Sequence, residues 1–320
     1  MSDQSVTETG GPLYPIREVS RLTGVNSVTL RAWERRYGLI QPRRTPKGHR
    51  LYGRTDIERV ERIVQWLNRG VPVSQVSDLL DKELPEDTAA SEASPEAKHA
   101  EGPASLEQSG EWSEIANDMR ALIERFDEQG LDQYYTTLLG RYPITTVLNN
   151  VLRPVVDQLE NADSEHSASR LFLESFLRTR LSLRLYYTNL EISTPRLLLA
   201  PYPERGDNLS LLMLASALSA GGFHITLIDH HVDADAFLSL LQRCRTDIAV
   251  FAGAAHDGTA SKDVADADAG IERIMKNTHV PVCVYGSMAS TDSKNLKAHG
   301  VQPLEIDLTR SVRLIRHLID

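Results

Sequence analysis

The chain is poor in the residues from which covalent and metal frameworks are built: its 320 residues include two cysteines, Cys244 and Cys283. Neither stands in a CxxC pair, so neither a disulfide network nor a thiolate zinc site is indicated, and both are expected to be small buried side chains. No apolar stretch approaches the ~18 residues of a membrane helix. The opening MSDQSVTETGGP also lacks the basic and apolar regions of a secretion signal, so the expectation is a cytoplasmic protein with no membrane contact. Equally missing are a phosphate-binding glycine loop, a nucleophile beside a base and metal-ligand spacing. No enzyme is expected, and no metal.

What the chain does have is charge, unevenly placed. The formal net charge is −9, yet residues 14–54 hold ten Lys or Arg against Glu18 and Glu34, a net of +8, which leaves −17 for the remainder. A basic module on an acidic body concentrates phosphate attraction in one place and keeps the rest away from nucleic acid. With 41% hydrophobic residues, a chain of this length supports two or three domains.

Composition divides it. A polar tail covers 1–13, and 14–84 is dense in helix signals. Residues 85–110, PEDTAASEASPEAKHAEGPASLEQSG, form a linker with Leu106 as the only large apolar residue, too little to offset the entropy of ordering. From 111 to 192 apolar residues recur at helical spacing (Ile115, Met119, Leu122, Ile123, Phe126), with breaks expected at Pro143, Pro154 and 161–164, which reads as a four-helix bundle. From 193 to 320 short apolar runs at 197–200, 223–228, 247–253, 280–285 and 302–306 alternate with helices near 209–220, 234–245, 262–277, 291–299 and 310–319. That is the pattern of a doubly wound parallel α/β sheet.

Within the basic module, residues 15–22 form a helix, 23-TGVN-26 a turn and 27-SVTLRAWERRYGL-39 a second helix suited to the major groove, capped by Asn26 or Ser27. Ile16, Val19, Leu22, Val25, Leu30 and Trp33 fit the seam between the helices. Ser27, Thr29, Arg31, Arg35 and Arg36 are the candidates for DNA contact on the second. The segment 41-QPRRTPKGHRLY-52 follows as two short arms around a Pro-Lys-Gly turn. It adds Arg43, Arg44, Lys47, His49, Arg50 and Tyr52, and its density of charge suits phosphate and minor-groove contact.

These motifs, 16-IREVSRLTGV-25 and 27-SVTLRAWERRYGLIQPRRTPKGHRLYGRTDIERVERI-63, with a helix pair expected at 55–69 and 73–80, closely resemble the MerR family of regulators. The resemblance implies an all-α winged helix-turn-helix, a homodimer on a pseudo-palindromic element of double-stranded promoter DNA, and a contact with RNA polymerase. The family more often has two aromatics where this chain has Ala32 and Trp33, and the Ala-Trp form resembles the branch with cobalamin-type sensor domains. The long dimerising helix that usually follows is replaced by the linker, so dimerisation must come from the distal domains.

A helical bundle and an α/β domain behind such a module resemble the CarH and LitR cobalamin photoreceptors. Their DxHxxG loop, whose His coordinates cobalt, aligns with 206-GDNLSL-211, which puts Asn208 where His is needed and Leu211 where Gly is needed. The usual Glu-His pair of the bundle falls at Arg170 and Leu171, and the expected Trp at Glu160. A displaced pair, Glu165 and His166, is out of phase with the apolar pattern behind it. The Gly286-Ser287 pair stands where paired glycines are usual. Cobalamin binding is therefore expected to be lost, with no cofactor, in a half that resembles that of the MlrA-like regulators. The alternative is a cobalamin-dependent light sensor. The loop residues His230, His231, His256 and Asp257 lie where open sheets bind ligands, but polar residues gather at loop tips in any case. Residues 263–270, DVADADAG, lack calcium-loop spacing and read as a charged helix start.

Overall fold

The computed structural model describes residues 12–69, 71, 73–80, 104–160, 167–201, 208–230, 232–252, 261–286, 289–290 and 293–319, without the side chains of 104–109, 160, 167 and 261–268. Two compact units result, one of residues 1–115 with 135–143, the other of 116–134 with 144–320.

The first unit opens with β1 (Tyr14–Pro15), α1 (Ile16–Thr23) and α2 (Ser27–Tyr37), then β2 (Arg43–Arg44), β3 (Arg50–Tyr52), α3 (Arg54–Asn68) and α4 (Val76–Leu80). The three short strands form an antiparallel sheet in the order β1-β3-β2. Of the expected seam, Val19, Val25, Leu30 and Trp33 are wholly buried, while Ile16 and Leu22 are half-buried at its edge. Val60, Ile63 and Leu67 recur on α3 at helical spacing and close the core from the other side.

Two longer helices follow, α5 (Ala104–Glu124) and α6 (Glu128–Arg141). α5 begins inside the expected linker, because Ala104, Leu106, Glu107 and Gln108 are good helix formers. The rest of that linker lies outside the described residues. Trp112 on α5 packs on Tyr142 with ring centroids 4.9 Å apart.

In the second unit the expected break at Pro154 does not occur. α7 (Ile144–Val147) runs into a π-helical turn (Leu148–Leu152) and then α8 (Arg153–Glu160), with the Arg153 amide reaching back to the Leu148 carbonyl. The widened turn accommodates a proline that has no amide to donate. α9 (Ser167–Asn189) completes the helical part.

Five parallel strands then alternate with helices: β4 (Arg196–Pro201), α10 (Asn208–Ala220), β5 (His224–Leu227), α11 (Ala234–Arg243), β6 (Ile248–Ala252), α12 (Ser261–Asn277), β7 (Val282–Tyr285), α13 (Ser293–Ala298), β8 (Gln302–Pro303) and α14 (Leu308–His317). The sheet order is β5-β4-β6-β7-β8, so the connections reverse direction between β4 and β6. Alternate residues serve opposite faces. Leu198, Ala200, Ala249, Phe251, Val282 and Val284 join Phe237 and Leu241 of α11 and Ile271 and Ile274 of α12. The other face meets α10, whose Leu211 to Leu218 are all buried, and α10 packs in turn on α9 and α14. Gly221 is required at the end of α10, since a Cβ there would lie 2.8 Å from Val312 of α14. β8 is two residues, shorter than the run 302–306, because Pro303 withholds a donor. Cys283 is buried as expected, and Cys244 is half-buried.

Candidate nucleic-acid interface

Asn26, rather than Ser27, caps the second helix: its Oδ1 accepts from the Val28 amide at 2.8 Å. This sets the phase of α2. Leu30 turns to the core, and Thr29 and Trp33, one turn apart, share an inward flank on which both side chains are bonded. Thr29 donates its hydroxyl to the Leu139 carbonyl at 3.0 Å, and the Trp33 indole donates to the Arg141 carbonyl at 3.0 Å. The end of α6 thus braces the recognition helix from behind. Thr29, expected at the DNA, has no exposed surface and is corrected to a docking residue. Periodicity placed it outward because no local pattern announces a partner 110 residues away.

The outward flank holds Val28, 55% exposed, then Arg31, half-buried, and Arg35 and Arg36, exposed. Positions 28, 31 and 35 advance by three and four and so form one stripe of the helix. Ser27 is half-buried at its start. The hairpin supplies the second cluster. Its tip is closed by the Thr45 amide on the His49 carbonyl at 2.9 Å and by the Gly48 amide on the Thr45 carbonyl at 2.8 Å, with Gly48 at φ 80, a conformation glycine takes without strain. Arg43, Lys47 and His49 are exposed there.

Arg44 and Arg50 are engaged elsewhere. Both guanidinium groups bond Glu34 on α2, Arg44 at 2.6 Å to Oε1 and Arg50 through Nε to Oε2. Arg50 is 19% exposed and Arg44 50% exposed, so Arg50 is chiefly a clamp while Arg44 keeps a face for phosphate. Burial would raise the Glu34 carboxyl, but the bonds from Arg50 and Arg44 prevail and hold it below the ordinary range. Tyr52, also expected at the DNA, is wholly buried beneath this clamp. Burial and the nearby Glu34 charge push its phenol up to about 12. The sequence reading counted Glu34 only as a charge and assigned it no role, although one of two acids amid ten bases was a signal for a clamp.

In the second unit Asn208 and Leu211 stand where the sequence places a cobalamin loop. Asn208 opens α10, and its Nδ2 donates to the Asp229 carbonyl at 3.0 Å, which presents no imidazole to a metal. Leu211 is wholly buried. Tyr285, at the carboxyl end of β7, fills its position with a buried ring, its hydroxyl bonded by Arg153 and donating to the Ile306 carbonyl at 3.3 Å. Arg170 and Leu171 are exposed on α9. His230 is exposed and bonds Asp229 at 2.5 Å. No cluster of metal-binding side chains occurs among the described residues. These residues do not fit a lower-ligand cobalamin site. His231, His256, Asp257, Ser287 and the Glu165-His166 pair lie outside the described residues, as does the Glu160 side chain.

The helix-turn-helix, its hairpin and the exposed arginine stripe define a MerR-type DNA-binding module. Residues 14–83 match the MerR HTH regulatory protein family. The same region is 54% identical over 71 residues to the HTH-type transcriptional regulator MlrA of Escherichia coli, a match spanning 29% of that protein's length and 22% of this chain. The HTH-type transcriptional repressor CarH of Myxococcus xanthus is 28% identical over 229 residues, covering 69% of this chain and 72% of the repressor. The monomethylamine corrinoid protein of Methanosarcina barkeri superposes with a TM-score of 0.50 at 10% identity, covering 64% of this chain and 99% of its own. That likeness shows the fold, a helical region followed by a parallel sheet. No helix among the described residues is long and apolar enough to cross a membrane.

Proposed function

We propose that this protein is a sequence-specific transcription regulator of the MerR kind, acting in the cytoplasm as a homodimer on double-stranded promoter DNA. The observation that carries the reading is the stripe of Val28, Arg31 and Arg35, left open while the opposite flank of the same helix is bonded to α6. A braced helix presents arginines to base edges with little entropy left to lose, and Arg43, Lys47 and His49 reach the flanking backbone. Base edges confer sequence preference, and phosphates fix register.

The carboxyl-terminal half is read as a cobalamin-binding fold that no longer binds cobalamin and serves dimerisation or protein docking, RNA polymerase included. Asn208, Leu211 and Tyr285 support this. The alternative reading is a cobalamin-dependent light-sensing regulator, for which the likeness to CarH over most of the chain is the ground, and incubation with adenosylcobalamin separates the two by colour. Catalysis is not part of either reading.

The test is a genome-wide map of DNA bound by the full chain, with a strain lacking the gene as control. Enriched sites sharing a pseudo-palindrome are expected, and a map with no common element would remove the proposal.

A further inference from the structure

Of the ten exposed large hydrophobic residues among the described residues, five lie on or at the end of α9. At its carboxyl end Leu183, Tyr186, Tyr187 and Leu190, spaced at three and four, are 46%, 61%, 61% and 66% exposed, and Leu171 near the other end is 65% exposed. The opposite face of α9, with Leu173, Leu177, Leu181 and Leu185, is buried, so the helix is apolar on two sides. Between the exposed ends the surface is small: Ser175, Thr179 and Ser182 lie outward, and the Thr179 hydroxyl is turned into its own helix, donating to the Ser175 carbonyl at 3.1 Å. An isolated exposed leucine needs no explanation, but a continuous stripe of this kind marks an interaction surface.

We infer that α9 is the dimer interface, pairing antiparallel with α9 of a second copy of this chain. The pattern is self-complementary. A two-fold axis midway along the stripe sets Leu171 opposite Leu190, Ser175 opposite Tyr186, and Thr179 opposite Ser182. The Tyr186 ring then meets a small residue, and the small pair at the centre lets the helices approach. Positions 171, 175, 179, 182, 186 and 190 advance by four, four, three, four and four, and so stay on one side of the helix along its length. The rim is matched as well. Tyr187 falls opposite Glu174, an acceptor for its phenol, and Leu183 falls opposite the stem of Arg178, whose guanidinium Glu174 already holds at 2.9 Å.

A two-fold interface repeats every contact, as closed dimers require. The pair brings together ten large side chains at roughly 100 Å² of uncovered surface each, or about 1,000 Å² in all before the rim is added, which is the lower mark for a biological interface. The inference rests on the reading of a regulator that engages two half-sites.

Sedimentation of the full chain without DNA is the test, run beside DNA-binding anisotropy on the same samples. The protein is expected at twice the 35.7 kDa chain mass, and the variant Tyr186→Glu with Leu190→Glu at one chain mass, its self-association at least a hundredfold weaker and its circular dichroism unchanged. Leu171→Cys with Leu190→Cys is expected to give a disulfide-linked dimer on mild oxidation, while neither single variant does so. Within one chain those positions are about 28 Å apart along the helix, too far for an internal bond. A monomeric parent, a charged variant that stays dimeric, or a double cysteine variant that does not cross-link would overturn the pairing. DNA binding by a monomeric parent would sink the interface alone. A dimer that behaves as described but binds no DNA would sink the regulator reading alone.

Discussion

Glu34 on α2 accepts the Nε–H of Arg50 from the hairpin, and this single carboxylate ties the helix to the hairpin. Arg44 completes the clamp from the neighbouring strand at 2.6 Å. The pair is mostly shielded, at 14% and 19% exposure, so removing one partner strands a charge in a place that water reaches poorly.

Glu34→Gln is therefore expected to lower stability by about 1–3 kcal/mol at neutral pH. Its folded-state pKa is depressed, so the contribution is present above the ordinary carboxyl value of 4.5 and fades as pH falls below it through the lowered folded value. Urea midpoints of parent and variant should differ at pH 7 and converge as pH drops below about 4. A gap that is constant with pH would contradict the clamp.

Arg43→Ala with Arg44→Ala should weaken DNA binding almost equally across sequences and flatten the salt dependence by up to about two units of slope. Arg50→Ala should act differently. It should cost stability, as Glu34→Gln does, with a smaller change in salt slope. Anisotropy titrations at several salt concentrations distinguish the two classes.

For Arg31 and Arg35, at least one alanine variant is expected to lose about 1–3 kcal/mol of discrimination at one base pair, measured by binding to a panel of single-base variants of the site. Full preference in both variants would mean that another face of α2 enters the groove.

Thr29→Val removes the donor to the Leu139 carbonyl and should cost about 1 kcal/mol of folding stability while leaving base preference intact. A changed preference with unchanged stability would return Thr29 to the DNA.

Cobalamin uptake should be undetectable by calorimetry or absorbance for the parent and for Asn208→His. Asn208→His with Leu211→Gly should show at most weak uptake, since Tyr285 still fills the end of β7. That double variant empties a buried site on α10, so its circular dichroism must be followed alongside. Stoichiometric uptake by the parent would reverse the assignment.

What the sequence determined by itself is what short spacings encode. Helices α1 and α2, the seam of Val19, Val25, Leu30 and Trp33, and the strands β4 to β7 follow from periods of 3.6 and 2, which depend on neighbours a few positions away. Local pattern also drew attention to Arg35, Arg43, Lys47 and His49, which the fold leaves exposed. Only the tertiary structure separated Thr29 from Arg31 and Arg50 from Arg43. The first distinction depends on a carbonyl 110 residues away and the second on a carboxylate 16 residues away. A hydroxyl or a guanidinium has the same propensity whether it meets a backbone carbonyl, a glutamate or a phosphate, and the choice is made by whatever long-range packing brings within reach.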